Sequence, residues 1–173
     1  MPGEFRIEAL GPVHNRKKFS CGVAALDHYF RELATQDIRR RISNCFVACD
    51  EAGMVAAHYT FAATSLPLSD IPPEDTKRLP RYALLPAGLI GRLAVDQRFR
   101  GRRLGGALVI DAARRAAGAD PAIYALVVDA KDETAAAFYE HLGFRRFMSR
   151  RMSLYLPVAT VLKALEASEK HRK

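Results

Sequence analysis

A chain of 173 residues, 49% apolar and 27% charged, is long enough to bury one hydrophobic core and too evenly composed for a disordered or fibrous protein. Its net charge of +8, carried by clustered arginines, bears on partners rather than fold and favours a polyanion such as nucleic acid. No apolar run is long enough to span a bilayer, MPGEFRIEALG lacks the apolar centre of a secretory signal, and Cys21, Cys45 and Cys49 form no CxxC pair, so a single cytosolic domain over residues 1–173 with reduced thiols is expected.

EFRIEAL alternates apolar and polar residues and reads as a first strand, followed by the basic loop NRKKFSCG. From Val23 to about Arg41, Leu26, Tyr29, Phe30, Leu33 and Ile38 recur at helical spacing, which predicts an amphipathic helix with Asp27, Arg31 and Arg39 on its outer face. Its basic end, Arg39–Arg41, suits the negative pole of a helix. NCFVACD and MVAAHYTFAAT read as two strands joined by a turn at Asp50–Gly53, with Cys45 and Cys49 on one side as core residues. SLPLSDIPPEDTKRLPRYALLP holds five prolines and is expected to be one long irregular loop.

AGLIGRLAVD then predicts an apolar strand, LGGALVIDAARRAAG a helix, and AIYALVVDA a central strand buried on both faces. DETAAAFYEHLG predicts a helix capped by Asp132 and closed by a left-handed Gly143. RRFMSRRMSLYLPV reads as a last strand and ATVLKALEASEK as a terminal helix. The order implies an α/β (α+β) domain with a mixed sheet and helices packed on it.

The five histidines lack metal-ligand spacing, and the chain has no phosphate-loop lysine motif, no GxSxG and no HExxH, so no metal is expected. VDQRFRGRRLGGAL is different: a strand ends, arginines and glycines follow, and a helix begins. Unpaired N–H groups at such a helix start favour an anion, and Gly105 and Gly106 permit close approach of a diphosphate.

Arg100-Gly101-Arg102-Arg103-Leu104-Gly105 resembles the acyl-CoA-binding motif of the GNAT acetyltransferase superfamily, with Arg103 where that motif has glycine. AAAFYEHLGF (Ala135–Phe144) resembles the superfamily's second signature. FSCGVAALDHYF, KRLPRY, LIGRLAVDQRFRGRRLGGALV and VVDAKDETAAAFYEHLGF are similar to the GNAT toxins of bacterial toxin–antitoxin pairs, over about Phe5 to Leu156.

The resemblance implies a GNAT fold, with a mostly antiparallel sheet of about six or seven strands flanked by helices. It implies acetyl-CoA as co-substrate and transfer to the α-amino group of aminoacyl-tRNA. The partners it implies are a ribbon-helix-helix antitoxin and a second copy of the chain in a homodimer. Carried onto this sequence, backbone at Leu93, Ala94 and Val95 binds the pantetheine arm. Arg100, Gly101, Arg102, Arg103, Leu104, Gly105 and Gly106 hold the diphosphate. Phe138 packs in the core beside the cofactor, and Tyr139 is the general acid.

The basic clusters are the expected RNA contacts: Arg39, Arg40 and Arg41; Lys77, Arg78 and Arg81; Arg92; Arg145 and Arg146, with Arg150 and Arg151 beside them. Two other readings stand beside this one: acetylation of a protein N-terminus or a small amine, and a non-catalytic RNA-binding module on the same fold.

Overall fold

The computed structural model describes residues 4–173, so the first three residues of the N-terminal stretch lie outside it. Seven strands form one sheet in the order β1-β2-β3-β4-β5-β7-β6. They are β1 (Arg6–Ala9), β2 (Asn44–Cys49), β3 (Val55–Pro67), β4 (Leu84–Val95), β5 (Ala125–Asp129), β6 (Arg145–Arg146) and β7 (Ser153–Pro157). The pairs β1–β2, β2–β3, β5–β7 and β6–β7 are antiparallel. With its flanking helices this is the mixed α/β architecture that the resemblance implied.

The chain divides into two compact units, one of residues up to Ala62 with Ile90–Asp111 and one of Ala63–Leu89 with Ala112–Lys173. In the first, β1–β3 enclose a core of Phe19, Phe30, Cys45, Val47, Cys49 and Val55. As expected, Cys45 and Cys49 are core residues, and burial pushes the Cys45 thiol up to about 12. The β2–β3 turn is closed by Asp50, whose carboxylate accepts from the Met54 N–H at 2.8 Å.

The first helix differs from its predicted outline. It runs as α-helix over Ala24–His28, opens into a π-turn over Tyr29–Leu33, and resumes as α-helix over Ala34–Arg39. Asp27, expected outside, is 5% exposed and accepts the Cys21 N–H at 2.9 Å. Arg31 turns inward as well, donating to the Phe19 carbonyl. The helix closes with a left-handed Arg41 (φ 60°): the Ile42 N–H reaches the Asp37 carbonyl and the Arg41 N–H the Ile38 carbonyl. These are the paired bonds of a helix end that glycine usually makes.

In the second unit the core gathers Leu66, Leu85, Ala125, Val127, Phe147 and Tyr155. The proline-rich segment is not one loop. β3 continues to Pro67, a 3₁₀ turn covers Leu68–Asp70, a short helix covers Pro73–Thr76, and β4 begins at Leu84. Each proline but Pro86 falls at an element's end or outside an element, where a missing N–H does no damage. The predicted last strand is a hairpin, β6 then β7, and β5 is buried over its first four residues as a central strand should be.

Candidate active site

Everything from Asp96 to Gly106 follows from how β4 ends. Asp96 is 1% exposed and caps the 3₁₀ turn Gln97–Phe99, accepting the Arg98 N–H at 2.9 Å. It also takes two bonds from the Arg98 guanidinium and one from the Ser20 N–H. Burial alone would raise this carboxyl, but the Arg98 side chain and the two amides outweigh it and hold the pKa below the ordinary value.

Beyond the turn, Gly101 (φ 80°) and Arg103 (φ 59°) are both left-handed. A Cβ added at Gly101 meets nothing within 4 Å, so that glycine serves backbone conformation alone. The Leu104–Ala117 helix starts at once, and its first intrahelical bond is the Ala107 N–H to the Arg103 carbonyl at 3.2 Å. The amides of Leu104, Gly105 and Gly106 precede that bond, so helix geometry leaves them free for an anion.

The three arginines of this loop have different fates. Arg100 donates to the Cys21 carbonyl at 2.7 Å. Arg102 pairs with Glu4 at 4.0 Å and lies over Phe5 and Phe99. Arg103 is exposed, with no ion pair among the described residues, and is the loop cation left for a ligand.

In the second unit the Glu133–His141 helix carries the other signature. Asp132 caps it as predicted, accepting the Ala135 N–H at 2.8 Å, and Gly143 (φ 104°) ends it. The Phe144 N–H folds back to the Tyr139 carbonyl at 3.1 Å. Tyr139 is 8% exposed, its ring edge-on to Phe138 and Phe144 at 5.1 and 5.4 Å. Burial pushes its phenol up to about 12, so it stays protonated at neutral pH, and its hydroxyl bonds to no other described residue. Phe138 is not the core residue expected: it is 36% exposed. It stands one position, about 100° of helix rotation, from the buried face.

Arg39, Arg40 and Arg41, and in the other unit Lys77, Arg78 and Arg81, are exposed. Arg92 is half-buried with its guanidinium 3.4 Å from the Tyr29 ring centre. The Tyr29 hydroxyl donates to Asp37 at 2.6 Å. Arg145 instead pairs with Asp75 at 2.9 Å and Glu74 at 3.3 Å, and Arg146 with Glu133 and Glu140, each at 2.8 Å. These two charges are already met by carboxylates. The pairings of Tyr29 with Asp37 and Arg92, and of Asp96 with Ser20, escaped the sequence reading because nothing local marks them.

Glu8, His14 and Cys49 come within 4.8 Å of one another, a spacing a metal would accept. The Gly11 N–H, however, donates to His14 Nδ1 at 2.9 Å, so Nε2 carries the proton and gives it to Glu8 at 2.8 Å. Both His14 nitrogens are thus taken up by hydrogen bonds, with Cys49 only nearby.

Residues 41–146 match the family model described as an acetyltransferase (GNAT) domain. The chain is 30% identical over 166 residues to the probable toxin TacT of Sinorhizobium fredii, covering 90% of this chain and 92% of that one. It is 37% identical over 128 residues to a tRNA-acetylating toxin of Mycobacterium tuberculosis, covering 73% and 75%. Among solved structures, a tyrosine-to-phenylalanine mutant of KacT matches with a TM-score of 0.85 at 25% identity, covering 93% of this chain and 99% of that one. AtaT complexed with acetyl-methionyl-tRNAfMet matches in fold with a TM-score of 0.85 at 24% identity, covering 94% and 99%. The free helix-start amides after β4, the tyrosine helix and these likenesses agree: the chain belongs to the GNAT acetyltransferase family.

Proposed function

We propose that this acetyltransferase is a toxin that moves the acetyl group of acetyl-CoA onto the α-amino group of aminoacyl-tRNA and so stops translation. The observation that carries the reading is the 37% identity over 128 residues to a tRNA-acetylating toxin, and the acetyltransferase family match at residues 41–146 includes both the helix-start loop and Tyr139. The left-handed turn and free amides at Leu104–Gly106 suit the diphosphate of CoA, with Arg103 beside them, and backbone at Leu93–Val95 suits the pantetheine arm. Phe138, exposed beside Tyr139, offers an apolar surface to the same cofactor. The two units act as one GNAT domain in this reading.

The chemistry asks little of a base. An α-amine titrates near 8, and an adjacent ester lowers that, so much of it is already neutral at cell pH. Held against the thioester, the nitrogen forms a C–N bond as the C–S bond breaks, and the amine's surplus proton leaves to water. Tyr139 gives its hydroxyl proton to the departing sulfur, and its phenolate takes one back from water, which balances the proton the amine released. Burial keeps the phenol protonated until the thiolate forms beside it.

Exposed Arg39–Arg41, Lys77, Arg78 and Arg81, with Arg92, contact tRNA phosphates; Arg145 and Arg146 hold the protein's own elements together. A small ribbon-helix-helix antitoxin and a second copy of the chain complete the partners, in the cytoplasm. Incubation with labelled acetyl-CoA and total charged tRNA tests this. The reading expects N-acetylated aminoacyl esters, whereas label in small amines or protein N-termini alone would replace it.

A further inference from the structure

Phe19–Gly22, at the entrance to the first helix, places the Phe19 side chain in the core and makes its hydrogen bonds to neighbouring elements through its backbone. On one side it meets the turn that follows β4. The Ser20 N–H donates to Asp96 at 3.0 Å, the Ser20 carbonyl accepts the Gln97 N–H at 2.9 Å, and the Cys21 carbonyl accepts Arg100 Nη2 at 2.7 Å. On the other side it meets the first helix: the Cys21 N–H donates to Asp27 at 2.9 Å and the Phe19 carbonyl accepts from Arg31.

Asp27 and Asp96 are both buried, which strengthens these bonds and makes each costly to lose. Gly22 allows the close fit. Its φ is 90°, and a Cβ there would lie 2.8 Å from Gln97 Nε2 and 3.3 Å from Arg100 Nη2.

We infer that Arg100 is a positioning residue: through Cys21 it locks the cofactor loop to the first helix, so that acetyl-CoA and the tRNA held by Arg39–Arg41 are bound in register. The inference rests on the function proposed above. It assigns to Arg100 a donor role, in which hydrogen bonding to one carbonyl matters and net charge does not. A residue that gripped a CoA phosphate would need the charge. The strap also predicts a consequence that a phosphate ligand would not have. Once the strap is loosened, the tRNA side suffers even when acetyl-CoA is saturating, because the helix that ends in Arg39–Arg41 has lost its anchor to the loop.

Arg100→Ala and Arg100→Gln separate these roles, since glutamine keeps a donor without a charge. In the free protein, amide exchange at Ser20 and Cys21 should quicken about tenfold in Arg100→Ala and return towards wild type in Arg100→Gln. With acetyl-CoA saturating, KM for charged tRNA should rise about three- to tenfold in Arg100→Ala and much less in Arg100→Gln. Unchanged exchange in Arg100→Ala overturns the inference. So does a glutamine variant as impaired as alanine in both readouts. Because exchange is read without cofactor, wild-type protein that binds no acetyl-CoA would sink the proposed function and leave the strap to be judged separately.

Discussion

His58 lies flat against Phe30, ring centres 3.9 Å apart and planes 8° from parallel, with neither of its nitrogens bonded to a described residue. It is wholly buried. That burial, opposed by nearby Asp27 and aided by Arg92, pushes its pKa down to about 3. A neutral imidazole here keeps the stacking and forgoes its hydrogen bonds. His58→Leu removes a desolvated polar group at the loss of two ring contacts, the stack on Phe30 and the tilted pair with Phe19 at 5.1 Å, a net stabilisation of about 1 kcal/mol. Thermal unfolding should shift up by about 2–4 °C. A fall in Tm would mean that the nitrogens are bonded through water.

The same histidine sets a pH dependence. Its folded pKa lies below the unfolded reference of about 6.5, so the unfolded chain takes up the proton first. The stability it contributes is complete above that pH and is lost as pH falls from about 6.5 towards 3, by up to about 1.4 kcal/mol per unit. Denaturant titrations between pH 7 and 5 should show this slope in wild type and a shallower one in His58→Leu.

Arg103 combines a left-handed backbone with a free cation, and the two features pull a substitution in opposite directions. Arg103→Gly relieves the strain and should raise stability by about 0.5–1 kcal/mol. It also removes a charge beside the helix-start amides and should weaken acetyl-CoA binding about three- to tenfold. Calorimetry and a melting curve on one variant read both. Tighter binding would mean that the side chain crowds the loop.

The arginines divide by what already holds them. Replacing Arg39, Arg40 and Arg41 by alanine should flatten the salt dependence of tRNA binding by about two to three units of log Kd per log salt. Replacing Arg145 and Arg146, paired with Asp75, Glu74, Glu133 and Glu140, should leave that slope nearly unchanged and lower stability. Equal slopes for the two variants would contradict the division.

What the sequence disclosed was local. Asp132 and Gly143 bound their helix as read, because cap and left-handed glycine act within one turn. The apolar runs marked β2, β3, β4 and β5 for the same reason. The misplaced residues turn on distance or phase. Asp27 and Arg31 were put outside by a 3.6-residue period that the π-turn at Tyr29–Leu33 interrupts. Phe138, expected in the core, is exposed, and the buried position is Tyr139, a single helical step on. The side-chain partner of Arg100, the Cys21 carbonyl, lies 79 residues away, where no local pattern points. Motif spacing could nominate the loop and the tyrosine, but not which arginine serves the protein and which serves a ligand.

Tyr139 decides the mechanism, because its hydroxyl is the one group asked to act on the reacting atoms. Acetylated aminoacyl-tRNA formed per enzyme should be followed with labelled acetyl-CoA for wild type and Tyr139→Phe, alongside calorimetry with acetyl-CoA. Wild type should acetylate charged tRNA, and the variant should lose about 10²–10⁴-fold in kcat at nearly equal cofactor affinity. Near-normal turnover by Tyr139→Phe, or no acetylated tRNA from wild type that binds acetyl-CoA, would contradict it.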